Sequence, residues 1–193
     1  SRVRLARNLQ DSPFPGRANK SERQNLLQTM KPVIESLRSM KEGFSEELSK
    51  LKRLEKQILV ERHLISRELA SKSQGSAIVL SVDETFCVMI NEEDHLRMQA
   101  ILPGLQIKEA WKSMNKMDTM LESKLPIAFS SDFGYLTACP TNLGTGIRVS
   151  AMLHLPGLVM AEHMQQTITA VNKLGLAVRG LYGEGTEALG NVF

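Results

Sequence analysis

The sequence predicts an α+β fold in which a largely antiparallel β-sheet is flanked by α-helices. Short apolar runs typical of strands recur along the chain, and they do not alternate with helices in a simple βαβ repeat. Longer segments with apolar residues at helical spacing lie between these runs. At 193 residues the chain can bury a sizeable core, so we predict one domain over residues 1–193.

The first third of the chain predicts a strand followed by two helices. Residues 1–5 alternate with a period of two, which places Arg2 and Arg4 on one face of a half-buried strand. After a turn-rich segment, Ser21 and Gln24 match a capping box and predict a helix that runs to about Met40. Residues 41–72 carry apolar residues at helical spacing, which predicts one further helix with a solvated charged face.

The middle of the chain predicts a hairpin and an amphipathic helix. The runs "AIVLS" and "TFCVMI" are separated by three residues and indicate two antiparallel strands, with the acidic stretch "NEEDHLRMQ" at the exit of the second. Residues 103–125 then predict a helix with one apolar stripe. The stripe consists of Leu105, Trp111, Met114, Met117 and Leu121, and methionine at this spacing is typical of a core.

The last third predicts short strands separated by glycine turns, with one helix. The strand segments are "IAFS", "GYLTA", "GIRVSAMLHL" and, at the end, "LAVRGLYG". The segment "AEHMQQTITAVNKLG" predicts the helix between the last two of them.

Composition narrows the class of protein. A formal net charge of +3 is compatible with an anionic ligand but too small to indicate a nucleic-acid surface. The two cysteines, Cys87 and Cys139, form no CxxC pair, and no secretory leader precedes the first strand. No window reaches the roughly 18 uninterrupted apolar residues of a membrane span. We therefore expect a soluble, cytoplasmic protein.

Several arginines lie in or beside predicted strands and glycine turns, where the backbone is rigid. A guanidinium group is a planar fork of donors that matches two phosphate oxygens, so converging arginines suit a polyphosphate. Gly144 and Gly146 let the backbone come close to an anion just before Arg148, although no GK[ST] of a Walker loop follows. The alternative is that these arginines are separate surface residues. They are Arg2, Arg4, Arg97, Arg148 and Arg179.

Two glutamates lie close in sequence to two of these arginines, Glu93 to Arg97 and Glu184 to Arg179. A pair of carboxylates beside a phosphate site suits a cationic acceptor whose nitrogen is oriented and deprotonated as it attacks phosphorus. Taken alone, each glutamate is more often a salt-bridge partner. By the same reasoning His63 alone is a solvated or capping residue.

Read together, four motifs resemble the successive signatures of the phosphagen (guanidino) kinase catalytic domain, whose fold is glutamine-synthetase-like. The motifs are "SRVRLARN", "NEEDHLR", "CPTNLGTGIR" and "RGLYGEGTEALGNVF", and they span almost the whole chain. Within the family, "VERHLISREL" and the last motif are most similar to the bacterial protein-arginine kinases. The family's domain continues beyond Phe193, so the resemblance implies that residues 1–193 are an incomplete catalytic domain.

The resemblance implies a role for each matching residue. Glu93 corresponds to the residue that orients and deprotonates the guanidinium, Glu184 to a second guanidinium-binding carboxylate, and Cys139 to a cysteine near the acceptor nitrogens. The small-metabolite enzymes have histidine in place of Met152, which predicts different packing of the nucleotide base. The implied nucleotide-binding residues are Ser1, Arg2, Arg4, His63, Arg97, Arg148, Val149, Ser150, Ala151, Met152, Arg179, Gly180, Gly183 and Glu184.

The activity implied is transfer of the ATP γ-phosphoryl group to arginine side chains in proteins, with Mg²⁺ held mostly by phosphates and water rather than by protein ligands. Two alternatives remain open, a kinase for free arginine and an inactive module that binds phosphoarginine or a partner. The resemblance further implies a role in the stress response and protein quality control. The implied partners are substrate proteins with exposed arginines, a zinc-containing activator protein, a heat-shock transcriptional repressor, a Clp-type protease chaperone and a second copy in a homodimer.

Overall fold

The structure, a computed structural model, describes residues 1–72, 74–179 and 189–193. The chain divides into two compact units, Ser1–Ser150 and Ala151–Phe193, and each is described by itself. The prediction of one domain over residues 1–193 stays a prediction. Among the residues that the structure describes, no helix is long and apolar enough to cross a membrane.

The described residues of the first unit contain eight strands. They are β1 (Arg2–Arg7), β2 (Ser45–Glu47), β3 (Ala77–Leu80), β4 (Phe86–Ile90), β5 (Leu96–Ile101), β6 (Phe129–Ser130), β7 (Gly134–Tyr135) and β8 (Ile147–Ser150). Six of them form a sheet in the order β2-β3-β4-β5-β1-β8, with every neighbouring pair antiparallel. A separate two-stranded hairpin consists of β6 and β7. This arrangement confirms the predicted fold class.

Among the described residues, four helices belong to the first unit and two to the second. Those of the first unit are α1 (Lys20–Glu35), α2 (Arg53–Glu61), α3 (Arg67–Ser71) and α4 (Ile107–Glu122). In the second unit, α5 (Pro156–Met160) and α6 (Met164–Lys173) precede a 3-10 turn at Leu189–Asn191, and His154 pairs with Val192.

The main core lies between one face of the sheet and two helices. Alternation along β1 points Val3 and Leu5 to this face, where they pack with α1 residues such as Ile34 and α4 residues such as Met114. All four of these side chains are at most 1% exposed. Burial of such side chains is favourable by roughly 1.5–3 kcal/mol each before entropy is counted, which makes this layer the main stabilising contact of the unit.

The opposite face of the sheet is divided into two halves. Over β3 and β4, a second apolar cluster packs Ile78, Cys87 and Met89 against Leu59 and Leu69 of α2 and α3. Over β5, β1 and β8 this same face carries Ala6 and Ile101, but most of its side chains are polar. The polar ones are Arg97, Gln99, Arg2, Arg4, Arg148 and Ser150. The polar half of the face is where the candidate site lies.

The prediction of a single helix over residues 41–72 is wrong. This segment contains the edge strand β2 and the two short helices α2 and α3. A Cβ atom on Gly43 would lie 1.9 Å from the Leu80 carbonyl oxygen, and the Leu80 amide donates to the Phe44 carbonyl oxygen at 2.7 Å. Pairing with β3 therefore forces an extended backbone here and overrides the helical spacing of the sequence.

The predicted bounds of α1 are also wrong. Its capping box is formed by Asn19 and Glu22, not by Ser21 and Gln24: the Glu22 amide donates to Asn19 Oδ1 at 3.0 Å, and the Asn19 amide donates to Glu22 Oε2 at 2.7 Å. The helix ends at Glu35 rather than near Met40.

Other differences are elements that were not predicted, strands that are shorter than predicted, and predicted core residues that are exposed. β5 and α5 were not predicted, and the strand predicted from "GIRVSAMLHL" ends at Ser150. On α4, Met114, Met117 and Leu121 are buried as predicted, but Trp111 is 39% exposed, and Leu105, just before the helix, is 76% exposed. In the predicted final strand, residues 176–179 have no regular structure, and residues 180–183 lie outside the described residues.

Candidate functional site

Four of the predicted phosphate arginines lie on one face of the sheet. The register of β1 with β8 places Arg4 directly opposite Arg148, and the register with β5 places Arg97 opposite Ala6, two residues from Arg4. Arg2 and Arg4 share this face because side chains alternate along a strand. The three strands β5, β1 and β8 thus bring together residues that are up to 146 positions apart in the sequence, from Arg2 to Arg148.

The four guanidinium groups of this arginine cluster are not fully neutralised by acidic side chains. Within the described residues, Arg4 Nε is buried and has no hydrogen-bond partner. Burial first, and then the charges of Arg2, Arg97 and Arg148, lower the pKa of Arg4 to about 9. Like charges directly opposite on neighbouring strands repel, so a multivalent anion on this face is strongly favoured.

Arg148 is held by neutral partners. Its Nε donates to Asn142 Oδ1 at 2.8 Å, and its Nη2 donates to Thr141 Oγ1 at 2.8 Å. These contacts fix the guanidinium without neutralising it, so its charge is available to a ligand. Thr141 Oγ1 also lies 3.0 Å from Cys139 Sγ, which places the cysteine next to the arginine cluster.

Arg97 is held by an acid instead. Its Nη1 donates to Glu92 Oε1 at 2.6 Å, and the Glu92 side chain is 2% exposed. Burial alone would lower the pKa of Arg97, but the charge and hydrogen bond of Glu92 outweigh it and raise that pKa. Arg97 is therefore oriented by an ion pair with a buried acid.

His63 lies beside the Arg2 end of the cluster. Gln99 Nε2 donates to the His63 carbonyl oxygen at 2.9 Å, and the backbone of His63 has a positive φ of 57°. Burial, and then the charge of Arg2, lower the pKa of His63. Arg2 Nε donates to Ser150 Oγ at 3.3 Å, so the far end of β8 is attached to this end of the cluster.

Glu93 lies at the edge of the same face, in the turn between β4 and β5. The residue is exposed overall, but its carboxylate is partly desolvated by its neighbours. This partial burial, followed by the charges of Asp94 and Glu92, raises the pKa of Glu93. A shallow, open cleft joins it to the arginines. The cleft is lined by Arg4, Leu5, Ala6, Glu93, Asp94, Arg97, Asn142, Gly146 and Arg148. A carboxylate with a raised pKa beside anion-binding arginines can accept a proton from a cationic acceptor.

The other residues of the acidic turn hold it in place. Asp94 Oδ1 accepts from Asn8 Nδ2 at 2.6 Å and from the Ala138 amide at 2.7 Å. His95 is buried, and its Nδ1 accepts from the Leu9 amide at 3.0 Å, so its Nε2 carries the proton and donates to the Pro13 carbonyl oxygen. These bonds attach the turn to the segment that follows β1 and to the segment before Cys139.

The remaining predicted site residues are placed as follows. Ser1 Oγ donates to the Gly104 carbonyl oxygen and accepts from the Gln106 amide, at the start of α4. Val149 is on β8 and 46% exposed, with Cα opposite Val3. Ala151, Met152 and Arg179 belong to the second unit, and Met152 is 48% exposed. Gly180, Gly183 and Glu184 lie outside the described residues.

Sequence reasoning missed the residues that hold the arginines in place. Glu92 was given no role of its own within the acidic stretch, and Thr141 and Asn142 were given none. Their proximity to Arg97 and Arg148 in the chain was the available signal. Arg7 was missed altogether. Side chains alternate along β1, so Arg7 points to the opposite face from Arg2 and Arg4.

Comparison with known proteins agrees with this geometry. A model of the ATP:guanido phosphotransferase C-terminal catalytic domain matches residues 25–193. The chain is 52% identical to a protein-arginine kinase of Pelotomaculum thermopropionicum over 196 aligned positions, and 46% identical to one of Brevibacillus brevis over 195. In both cases all of this chain and 55% of the relative are covered, so the chain spans about half the length of these curated relatives.

Solved structures give the same fold. The duplicated taurocyamine kinase of Schistosoma mansoni with bound transition-state-analogue components superimposes with a TM-score of 0.86 at 27% identity, over 99% of this chain and 28% of that one. Lombricine kinase superimposes with a TM-score of 0.79 at 25% identity, over 99% of this chain and 56% of that one. The family model, the relatives and the fold together show that the chain belongs to the ATP:guanido phosphotransferase family and carries the fold of its C-terminal catalytic domain.

Proposed function

We propose that this protein transfers the γ-phosphoryl group of ATP to a guanidino nitrogen of arginine side chains in proteins. The observation that carries the proposal is the arginine cluster on β5, β1 and β8, with its unpartnered Arg4 Nε, adjoining the Glu93 carboxylate across one cleft. The cluster suits a polyphosphate donor, and the carboxylate suits a cationic acceptor. Arginine as the acceptor is supported by the relatives named protein-arginine kinase.

On the donor side, Arg2, Arg4, Arg97 and Arg148 bind the phosphate oxygens. Their role is to orient the triphosphate and to stabilise the negative charge that spreads over the transferring group. Arg2, Arg4 and Arg148, which have no carboxylate partner among the described contacts, contribute the least neutralised charge. Mg²⁺ bound with the nucleotide would be held mainly by phosphate oxygens and water and would neutralise further charge.

On the acceptor side, Glu93 orients the guanidinium of the substrate and accepts its proton. The attacking nitrogen forms a bond to the γ-phosphorus while the bond from that phosphorus to the bridging oxygen of ADP breaks, and the proton on nitrogen passes to Glu93. The raised pKa of Glu93 makes its carboxylate a stronger base, better suited to accept this proton. Cys139, connected to Arg148 through Thr141, lies beside the cluster and positions the acceptor rather than forming a covalent intermediate.

The test compares two acceptors. The purified protein is incubated with ATP and Mg²⁺ and either an arginine-rich protein such as casein or free arginine, and phosphoarginine is measured by mass spectrometry under conditions that preserve the acid-labile bond. We expect phosphoarginine on the protein acceptor. Product on free arginine alone would favour the energy-buffering alternative, and no product on either acceptor would favour a binding module.

The free-arginine alternative rests on a specific observation, since two structures of the same fold are named taurocyamine kinase and lombricine kinase rather than protein kinases. The partners and the homodimer implied by the resemblance stay predictions, as does the cytoplasmic location expected from the composition.

A further inference from the structure

Glu92 is a buried acid next to the proposed base, and the proposed mechanism does not use it. Its side chain is 2% exposed, which is unusual for a glutamate, because burying a carboxylate is costly unless its hydrogen bonds are satisfied. We infer that Glu92 is a positioning residue that holds the phosphate-binding arginine Arg97 and the acceptor-binding residue Glu93 at a set separation. This inference rests on the proposed function.

The two oxygens of the carboxylate serve different sides of the site. Oε1 accepts from Arg97 Nη1 at 2.6 Å, on the donor side. Oε2 accepts from the backbone amide of Glu93 at 2.9 Å, on the acceptor side. The planar carboxylate of Glu92 therefore connects the guanidinium of Arg97, which would bind phosphate, to the backbone of the proposed base Glu93.

A third contact anchors the carboxylate from the helical side of the site. Ser66 Oγ donates to Glu92 Oε1 at 2.5 Å and accepts from the Leu69 amide as the N-cap of α3. Lys72 Nζ donates to the Glu92 carbonyl oxygen at 2.5 Å. Both ends of α3 are thereby attached to Glu92, one through the carboxylate and one through the backbone carbonyl.

The arrangement needs an ionised acid. Burial alone would raise the pKa of Glu92, but the charge and hydrogen bond of Arg97, followed by the bonds from Ser66 and the Glu93 amide, lower it. The three groups that contact the two oxygens are all donors. Glutamine has the same shape, but its amide nitrogen would face at least one of these donors, and one contact would be lost.

The consequence concerns the chemical step more than binding. Arg2, Arg4 and Arg148 can still hold the triphosphate when Arg97 is loosened, whereas in-line transfer depends on the separation of the reacting atoms. A misplacement of about 1 Å can lower a rate about 100-fold. Glu92 should therefore affect kcat far more than the affinity for nucleotide.

The main test compares Glu92→Gln with Glu68→Gln. Glu68 is exposed on α3, and its charge also acts on Arg97, but the two side chains form no hydrogen bond, so this variant removes a similar charge without the positioning contacts. In the purified protein we expect E92Q to lower kcat about 100-fold with the Kd for ATP within about threefold of wild type. E68Q should change both values less than about twofold.

Three outcomes would overturn the inference. They are a kcat for E92Q within about threefold of wild type, an equal loss of kcat in E68Q, and a loss of nucleotide affinity in E92Q as large as its loss of kcat. The second would assign the effect to charge alone, and the third to phosphate binding.

A milder pair of variants covers the case in which E92Q does not fold. Ser66→Ala removes one donor to Glu92, and Ser66→Thr keeps both that donor and the N-cap. We expect S66A to lower kcat by about tenfold, because one of the three hydrogen bonds that hold the carboxylate is lost, and S66T to keep kcat near the wild-type value. Equal kcat values for S66A and wild type would refute the role of this carboxylate.

Failure of the inference can be separated from failure of the proposed function. A wild-type protein that phosphorylates no arginine overturns the proposed function. The positioning contact is followed independently by ¹⁵N NMR of the Arg97 guanidinium, whose Nη groups should exchange slowly in wild type and average in E92Q. The same spectrum in both proteins would overturn the inference whatever the activity.

Discussion

Arg97 and Arg148 carry the same charge but are held in different ways. Arg97 is paired with the buried Glu92, whereas Arg148 is oriented by the neutral side chains Asn142 and Thr141. A guanidinium that is fixed but not neutralised attracts an anion more strongly than one in an ion pair, because its charge is not already balanced. Arg148 should therefore contribute more to nucleotide affinity than Arg97.

Replacing Arg148 by alanine should weaken ATP binding by about 10- to 100-fold, the loss of one or two charge-assisted hydrogen bonds. The measurement is calorimetric titration with ATP and Mg²⁺. Arg38→Ala is the matched control, because it removes the same charge from an exposed position after α1, the helix that covers the opposite face. Unchanged affinity in R148A would show that this arginine does not contact the phosphates.

Glu93→Gln should lower turnover by at least about 100-fold, since the amide cannot accept the proton that the acceptor nitrogen must lose. ATP affinity should stay within a fewfold of wild type, because the arginine cluster is untouched. Turnover and ATP binding are measured on the same preparation. Near-normal turnover of E93Q would refute the assignment of Glu93 as the base.

The pH dependence of the reaction follows from the pKa of Glu93, which is raised by burial and by the nearby charges of Asp94 and Glu92. The base must be deprotonated to act, so kcat/KM should fall as pH falls through this raised pKa. The acid limb should thus lie above the roughly 4.3 of an ordinary glutamate. Rates are measured across the range in which circular dichroism shows a folded protein. An acid limb at or below about pH 4.3 would contradict the assignment.

At the scale of elements, the position of β8 depends on the turn that precedes it. Gly146 has a φ of +65°, and its carbonyl oxygen accepts from the Ala6 amide at 2.9 Å. A Cβ atom at this position would lie 2.6 Å from Arg7 Nη1 and 2.7 Å from the Ala6 carbonyl oxygen. Only glycine fits between β1 and Arg7, and this fit sets where Arg148 emerges two residues later.

Gly146→Ala should lower the free energy of unfolding by about 2–3 kcal/mol, through left-handed backbone strain and the two close contacts. Because β8 is displaced, ATP affinity should fall as well. Gly157→Ala is the control, since Gly157 lies in α5 with no atom within 4 Å of an added Cβ, and alanine favours helix. Denaturant unfolding and ATP titration check both variants. Equal stability of G146A and wild type would show that the turn tolerates a side chain.

At the scale of the whole first unit, a buried ion pair joins α4 to the sheet and to the loop that carries Arg148. Arg7 donates to both oxygens of Asp118, at 3.1 and 2.6 Å, and also to the Thr145 carbonyl oxygen at 3.0 Å. Its guanidinium stacks 3.4 Å from the centre of the Tyr135 ring. One side chain thus connects a helix, a strand, the β6–β7 hairpin and the glycine turn.

Arg7→Met should lower the free energy of unfolding by about 3–5 kcal/mol, because it leaves the Asp118 carboxylate buried without its partner. The double variant Arg7→Met with Asp118→Leu should recover much of this loss, since two apolar side chains replace the pair. Urea unfolding of the single and double variants makes the comparison. A loss below about 1 kcal/mol in R7M would show that water reaches Asp118 readily.

How much could be predicted depended on whether the signal was local. The β3–β4 hairpin and α4 were predicted because their apolar residues repeat at the spacing of a strand or a helix. The segment over residues 41–72 was misread because β2 is set by pairing with β3, about 30 residues later in the chain. β5 was missed because its first residues read as the end of an acidic cluster.

The sequence by itself determined the antiparallel α+β class, the arginines on β1 and the acid of the turn, since alternation and residue chemistry are properties of neighbouring residues. Only the tertiary structure decided that Arg4 faces Arg148, that Glu92 rather than Glu93 pairs with Arg97, and that Arg7 belongs to the core. These contacts depend on strand register and on burial, which join residues far apart in the chain. No local sequence pattern predicts such contacts, so the different roles of the charged residues follow from tertiary packing.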